Sequence, residues 1–403
     1  MVFLQKLVIE NYKAFRNTAI RFHPEMTFVI GTNASGKTSL MEVIDLLTGI
    51  TQNSQPDWLR RLFLARSRDG FIGCFPWMND ENPMSFEIHA MLNGQQLYYR
   101  LSLVATSDGQ PRVAEERLWD DHQEWAYWDP NERSYHIPPI KKKISTGPEY
   151  PLILSQRGEW LFEENKLEIP LRFIRWVQRW YVIRPQTLKA GRSWDQLDSA
   201  KNTELARDGM NFIPVLFYWK NSPTLRQRWE WIAQYTKTLF ELLGLDELTW
   251  DVIPKPEGER AIVQIRIWPK DAKPWESYDI AFGPDGLRQW FIILMALCEP
   301  TATFVAIEEP ECHLDLRMVD VLASAIQSAS HHFNRPIERS ILITTHSPLL
   351  AGEWAPEHIR VIDRGRVKPL PDFIARAVRE ERIRLIEAWL MDMLTEVPQN
   401  DPD

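Results

Sequence analysis

Residues Gly31 to Thr38 read Gly-Thr-Asn-Ala-Ser-Gly-Lys-Thr, the spacing G-x-x-x-x-G-K-[ST]. Ahead of them Met26 to Ile30 is a short apolar run that reads as a buried strand, and behind them Ser39 to Leu47 has helical spacing. Strand, glycine loop, helix is the context such a loop needs, because it aims successive backbone N–H groups and a helix N-terminus at one anion. The spacing makes Gly31, Thr32, Asn33, Ala34, Ser35, Gly36, Lys37, Thr38 and the following Ser39 a predicted phosphate cradle. In it Lys37 reaches the β/γ-phosphates and the Thr38 hydroxyl ligates Mg²⁺. ATP and Mg²⁺ are the ligands this implies.

Three further segments carry chemistry. Thr303-Phe-Val-Ala-Ile-Glu308-Glu309-Pro310 is a hydrophobic strand ending in paired carboxylates. Glu308 is the predicted metal acid beside Thr38, and Glu309 the group that polarises an attacking water. Ser340-Ile-Leu-Ile-Thr-Thr345-His346-Ser347-Pro348 is a second buried strand, which presents an imidazole where α/β ligands sit. His346 is thereby expected to bond the γ-phosphate or the water. Lys37, Glu309 and His346 make the predicted catalytic set. Gly283, Asp285, Gly286 and Arg288 open an apolar helix and form a possible second anion cradle, although Gly-Pro-Asp-Gly is also a good plain turn.

Composition narrows the classes. With a net charge of −8, the chain has no global pull toward nucleic acid or membranes, so any DNA contact needs a local patch. Basic clusters stand at Arg60-Arg61 with Arg66 and Arg68, at Lys141 to Lys143, and at Arg172, Arg175, Arg179 and Arg184. Cys74, Cys298 and Cys312 form no CxxC pair, which argues against a disulfide scaffold or a structural zinc. The longest apolar run, Trp290 to Cys298, is roughly half of a membrane span. A soluble cytoplasmic protein is expected. The 18 Trp read as core and interface packing rather than base stacking.

Along the chain, Phe3–Glu10 and Thr18–Phe22 read as strands, and Ser85–Trp119 as antiparallel strands with a turn at Asn93-Gly94. Lys141 to Lys143 reads as a solvated loop. Helical patterns dominate from Ser155 to Leu243, clearest at Leu171–Tyr181 and Leu225–Leu243, and Ala261–Trp268 alternates as a strand. An α/β core returns with helices over Leu287–Leu297 and Met318–Ser330, and Phe373–Met393 reads as one amphipathic helix.

Taken in order, these pieces resemble the ABC-type ATPases of the RecF, SMC and OLD group, and in particular its short stand-alone members. Leu7 to Phe15 is similar to that group's NFKSF start, Glu308-Glu309-Pro310-Glu311 with His313-Leu314 to its acid strand and D-loop, Thr345 to Pro348 to its THSP switch, and Asp208 to Phe212 to its DGxNL element. The resemblance implies an α/β P-loop head with a mixed sheet and an antiparallel β subdomain, carrying a largely helical, Trp-rich insertion. The expected division is an N-terminal lobe over 1–150, the insertion over 151–255, a C-terminal lobe over 256–370 and a helix with tail over 371–403.

It also implies a head-to-head homodimer or higher oligomer, with ATP held between one subunit's phosphate loop and the other's signature loop. Pro284 stands where the group has a Ser, which weakens that second contact, and Asp315 replaces the proline after His313-Leu314. For the glutamine that senses Mg²⁺, Gln156 is only a weak candidate. The stretch after His346 is too short for the nuclease domain of OLD proteins, so a separately encoded nuclease or other effector is the expected partner, with DNA as a further one and no membrane. The leading expectation is an ATP-hydrolysing switch in genome maintenance or anti-phage defence. The alternatives are a non-hydrolysing, nucleotide-gated scaffold and, at a distance, the ATPase of a transporter.

Overall fold

The computed structural model describes residues 2–52, 58–76, 82–145, 151–184, 203–206, 209, 211–245, 247–257, 260–271, 278–280, 285–332, 339–352, 354–391 and 393–394. β1 (Val2–Tyr12) folds back on β2 (Phe15–Arg21) through a turn in which Asn11 and Lys13 take positive φ. β3 (Met26–Ile30) then runs into the glycine loop and α1 (Lys37–Thr51), followed by α2 (Trp58–Leu64). A meander follows: β4 (Met84–Leu92), β5 (Gln95–Ala105), β6 (Pro111–Asp120), β7 (Glu124–Asp129), β8 (Ser134–Ile137) and β9 (Lys142–Ser145). With β1 and β2 these strands form an eight-stranded antiparallel sheet in the order β2-β1-β4-β5-β6-β7-β8-β9. Lys142 and Lys143, expected in a loop, belong to the exposed edge strand β9, where lysines discourage pairing with another chain.

α3 (Gln156–Glu164) and α4 (Glu168–Gln178) lead to β10 (Trp180–Ile183). The helix read through Tyr181 therefore stops at Gln178, because Trp180 to Ile183 pair in parallel with Phe304 to Ile307. Pairing with a remote strand overrides the local helical spacing there. α5 (Phe212–Asn221) and α6 (Arg226–Leu242) precede β11 (Leu248–Glu257), β12 (Arg260–Pro269) and β13 (Tyr278–Asp279), a small antiparallel sheet.

α7 (Asp285–Leu297), β14 (Phe304–Glu308), α8 (Leu316–His332), β15 (Ser340–Thr345), α9 (Pro348–Ala351), β16 (Ile359–Asp363) and β17 (Arg366–Pro369) complete the α/β part. The six-stranded sheet has the order β10-β14-β15-β3-β16-β17, parallel except for β17. α10 (Asp372–Arg379) and α11 (Leu385–Leu390) end the described chain. The single helix expected over Phe373–Met393 is thus broken. Glu381 turns left-handed at φ 55°, and the N–H of Arg382 caps the carbonyl of Ala377.

Four strands of the six-stranded sheet, β10, β14, β15 and β3, are buried along their whole length, which explains their largely apolar sequences. Val29, Phe304, Ala306 and Leu342 face a core shared with α1, α4 and the antiparallel sheet. Phe28, Ile30, Val305, Ile307, Ile341 and Ile343 face a second core with α5 to α8. Alternation along each strand thus serves two cores at once. The tryptophans follow the packing reading: Trp180, Trp219 and Trp290 are fully buried, and Trp180 lies edge-on to Trp176 at 4.9 Å.

Candidate nucleotide site

The C-terminal ends of β3, β14 and β15 lie side by side, so their exit loops converge. The loop after β3 demands its glycines. A Cβ on Gly31 would stand 2.6 Å from Ile362 Cγ2 and 2.7 Å from Ser35 Oγ, and Gly36 has φ 116°. Gly365 N–H donates to the Ser35 carbonyl at 2.8 Å, tying the β16–β17 turn to the loop. Ser35 Oγ is buried without a hydrogen-bond partner among the described residues, an unmet polar group inside the cradle.

Lys37 is the first residue of α1 and only 3% exposed. Its ammonium donates to the carbonyls of Gly31 and Thr32 at 2.8 Å each. Burial lowers its pKa, opposed by Glu309, Glu311 and Glu308 in that order. Thr38 Oγ1 donates to Glu308 Oε1 at 2.5 Å, so the two expected metal oxygens already meet. Burial raises the Glu308 pKa, while the Thr38 bond and the nearby Arg184 lower it. Arg184 Nε stands 3.4 Å from Glu308 Oε2. Grouped above with basic residues facing nucleic acid, Arg184 is instead engaged with the acid strand, a role legible only once β10 is seen beside β14.

Glu309 leaves its strand in a left-handed conformation at φ 45°, and its N–H donates to Thr344 O at 2.7 Å. Its carboxylate contacts His346 Nε2 and lies 3.9 Å from Lys37 Nζ. His346 Nδ1 is 3.1 Å from both Lys37 Nζ and Gly31 O. A carboxylate only accepts, so the contact with Glu309 places a proton on His346 Nε2.

Glu311, named only as part of a resembled motif, holds the Thr345–Ser347 turn in place. Its Oε1 accepts from Thr345 Oγ1 at 2.5 Å, His346 N at 2.9 Å and Ser347 N at 3.3 Å, while its Oε2 is buried without a partner among the described residues. Burial raises the Glu311 pKa. The third acid of the run Glu308-Glu309-Pro310-Glu311 is the signal the sequence offers for it.

A cleft of about 490 Å³ is lined by Asn33, Lys37, Thr38, Glu309, His346 and by Ala14 from the β1–β2 turn. Asp285, Gly286 and Arg288 do not line it. They sit at the start of α7, where Arg288 pairs with Asp285 and a Cβ on Gly286 would meet the His313 carbonyl at 2.6 Å. Gly283 and Pro284 lie outside the described residues. Gln156 opens α3 and is not among the lining residues. The first glutamine after β10 is Gln186, also outside the described residues. Of Asp208 to Phe212, Asp208 and Met210 are likewise outside. Asn211 Oδ1 accepts from Ala206 N at 2.7 Å, a local turn bond at the entry to α5.

A phosphate loop, an acid strand and a histidine strand adjacent in one mixed sheet, beside an antiparallel sheet, define a P-loop ATPase head of the ABC type, of the RecF and SMC kind. The family described as "AAA domain, putative AbiEii toxin, Type IV TA system" matches residues 26–352, and the chain belongs to it. The chain is also similar to the DNA replication and repair protein RecF of Heliobacterium modesticaldum, 28% identical over 112 residues. That match spans 28% of this chain and 22% of the relative's length. In fold it resembles an SMC head solved bound to the C-winged helix domain of ScpA. That likeness has a TM-score of 0.50 at 14% identity and covers 91% of this chain and 97% of the other. Among the described residues no helix is long and apolar enough to cross a membrane.

Proposed function

We propose that the chain binds ATP with Mg²⁺ at the phosphate loop and hydrolyses it, working as an ATP-switched dimer with nucleic acid or a separate effector in genome maintenance or defence. One observation carries the reading: Lys37, His346 and Glu309 form a continuous polar chain next to the Thr38–Glu308 pair. The residues suit the ligands. Ser35 Oγ needs a partner, Gly31 and Gly36 leave room for close backbone approach, and Thr38 with Glu308 offers hard oxygens to a hard cation. Mg²⁺ held there would neutralise charge on the phosphate oxygens.

The chain's own residues supply the rest. The Lys37 ammonium is aimed into the cradle by two carbonyls. Glu309, held by the His346 Nε2–H, accepts the proton of an attacking water, and His346 keeps that carboxylate turned toward the cleft. Asp285, Gly286 and Arg288 stand away from this subunit's cradle, which supports their use by a second copy, with Gly283 assigned the same role from the sequence. The division into lobes over 1–150 and 256–370, an insertion over 151–255 and a tail over 371–403 is proposed on the same basis.

The test is ATP turnover and ATP binding by wild type and Glu309→Gln, with and without DNA. Binding retained with turnover reduced at least ~100-fold in the variant supports the reading. Equal turnover in both proteins removes Glu309 from the reaction. Pro284, where the group has a Ser, favours one second reading, a nucleotide-gated scaffold. That reading predicts ATP binding without turnover in wild type.

A further inference from the structure

A second cleft, of about 550 Å³, lies between the end of β2, the start of β16, β17 and α10. None of its lining residues lines the phosphate-loop cleft. Its β16 wall pairs with β3, Ile359 with Phe28 and Val361 with Ile30. Four arginines line it, Arg21, Arg360, Arg376 and Arg379, against two acids, Glu357 and Asp372. Two positive charges are left over, in a chain whose net charge is −8.

The arginines are unequal. Arg379 is matched by Glu357 at 3.1 Å. Among the described residues no ion pair engages Arg21, Arg360 or Arg376. Arg360 is half-buried and fixed: Nε donates to Arg21 O at 2.9 Å, and Nη1 to Glu357 O at 2.7 Å and Ile359 O at 2.9 Å. Among the described residues those bonds leave Nη2 uncommitted. Burial, and then the charge of Arg21, lower the Arg360 pKa, as expected of a guanidinium withdrawn from water without a counter-charge. A guanidinium held in this way has one donor edge and its full charge left for an anion in the cleft.

We propose that this cleft binds a phosphate group, with the fixed guanidinium of Arg360 as receptor and Arg21 and Arg376 as flanking charges. The excess of two charges matches one phosphate dianion or two neighbouring phosphodiesters, and arginine forks fit phosphate oxygens in pairs. A small phosphate compound and a nucleic-acid backbone share this chemistry, and the test separates them.

Arg21 and Arg376 are exposed, so Arg21→Glu/Arg376→Glu reverses the flanking charge without disturbing the core. Inorganic pyrophosphate is titrated calorimetrically into the full wild-type chain and into the double variant. The variant should lose one site relative to wild type. That difference of one holds whether or not the phosphate loop also binds, so failure of the ATP reading and failure of this one are distinguishable. In parallel, a 30-base-pair duplex is titrated at several salt concentrations. A backbone ligand predicts affinity at least ~10-fold weaker in the variant and a salt slope shallower by about 2. A small-molecule ligand predicts unchanged duplex binding together with the lost pyrophosphate site. Arg360→Lys, which keeps the charge but not the fork, should also weaken whichever ligand binds. Pyrophosphate stoichiometry and duplex affinity both unchanged in the double variant would overturn the proposal.

Discussion

Replacing Glu311 by alanine tests whether the histidine switch is held by a single carboxylate. The side chain accepts three bonds at Oε1, two from backbone N–H groups and one from the Thr345 hydroxyl. Bonds to a charged acceptor contribute about 1.5–3 kcal/mol each. Desolvation of the carboxylate, visible in its raised pKa, offsets much of that sum. A net loss of about 2–4 kcal/mol on truncation is expected. Catalysis should suffer more than binding, because the hydrogen bonds that aim Lys37 run to the Gly31 and Thr32 carbonyls, whereas His346 N is bonded to Glu311 itself. Misplacing a catalytic group by an ångström costs on the order of 100-fold in rate. Glu311→Ala should therefore lower kcat about 100-fold while ATP affinity by calorimetry stays within about 3-fold of wild type. Glu311→Gln keeps an acceptor oxygen at the same place and should restore turnover to within about 10-fold of wild type. Equal turnover in the alanine variant, or ATP affinity falling in step with kcat, would refute the positioning argument.

Gly31→Ala places a methyl group against Ile362 and Ser35 and should weaken ATP binding at least ~10-fold by calorimetry, with the fold retained by circular dichroism. Glu299 is fully buried and its pKa is pushed up to about 7. A carboxyl raised in the folded state stabilises most below its unfolded pKa near 4.5, and that contribution is lost as pH rises toward 7. Urea denaturation should therefore show Glu299→Gln more stable than wild type at pH 8 by about 1–3 kcal/mol, with the gap closing at pH 5. Trp290 is fully buried on α7, and its indole donates to Thr236 Oγ1 on α6 at 3.2 Å. Trp290→Ala should cost about 3–5 kcal/mol in the same assay.

Some of this protein is written in short windows of sequence. Gly31 and Gly36 at fixed spacing before a lysine require one loop conformation, because the backbone admits no side chain there. The runs Phe304–Ile307 and Ile341–Ile343 are continuously apolar because both faces of these strands are buried, and that pattern survives without knowledge of the partners. The residues closing those strands, Glu308, Glu309 and His346, were accordingly visible as a group.

Tertiary structure decided what depends on pairing across the chain. Trp180–Ile183 is a strand only because β14 accepts it, and that pairing sets Arg184 beside Glu308. Glu311 grips residues 34 to 36 positions away in sequence. Arg21 meets Arg360 across 339 positions. No local periodicity encodes such contacts. Loop-closure entropy makes them improbable until the two cores on either side of the sheet have formed, so only the assembled fold brings these charges together.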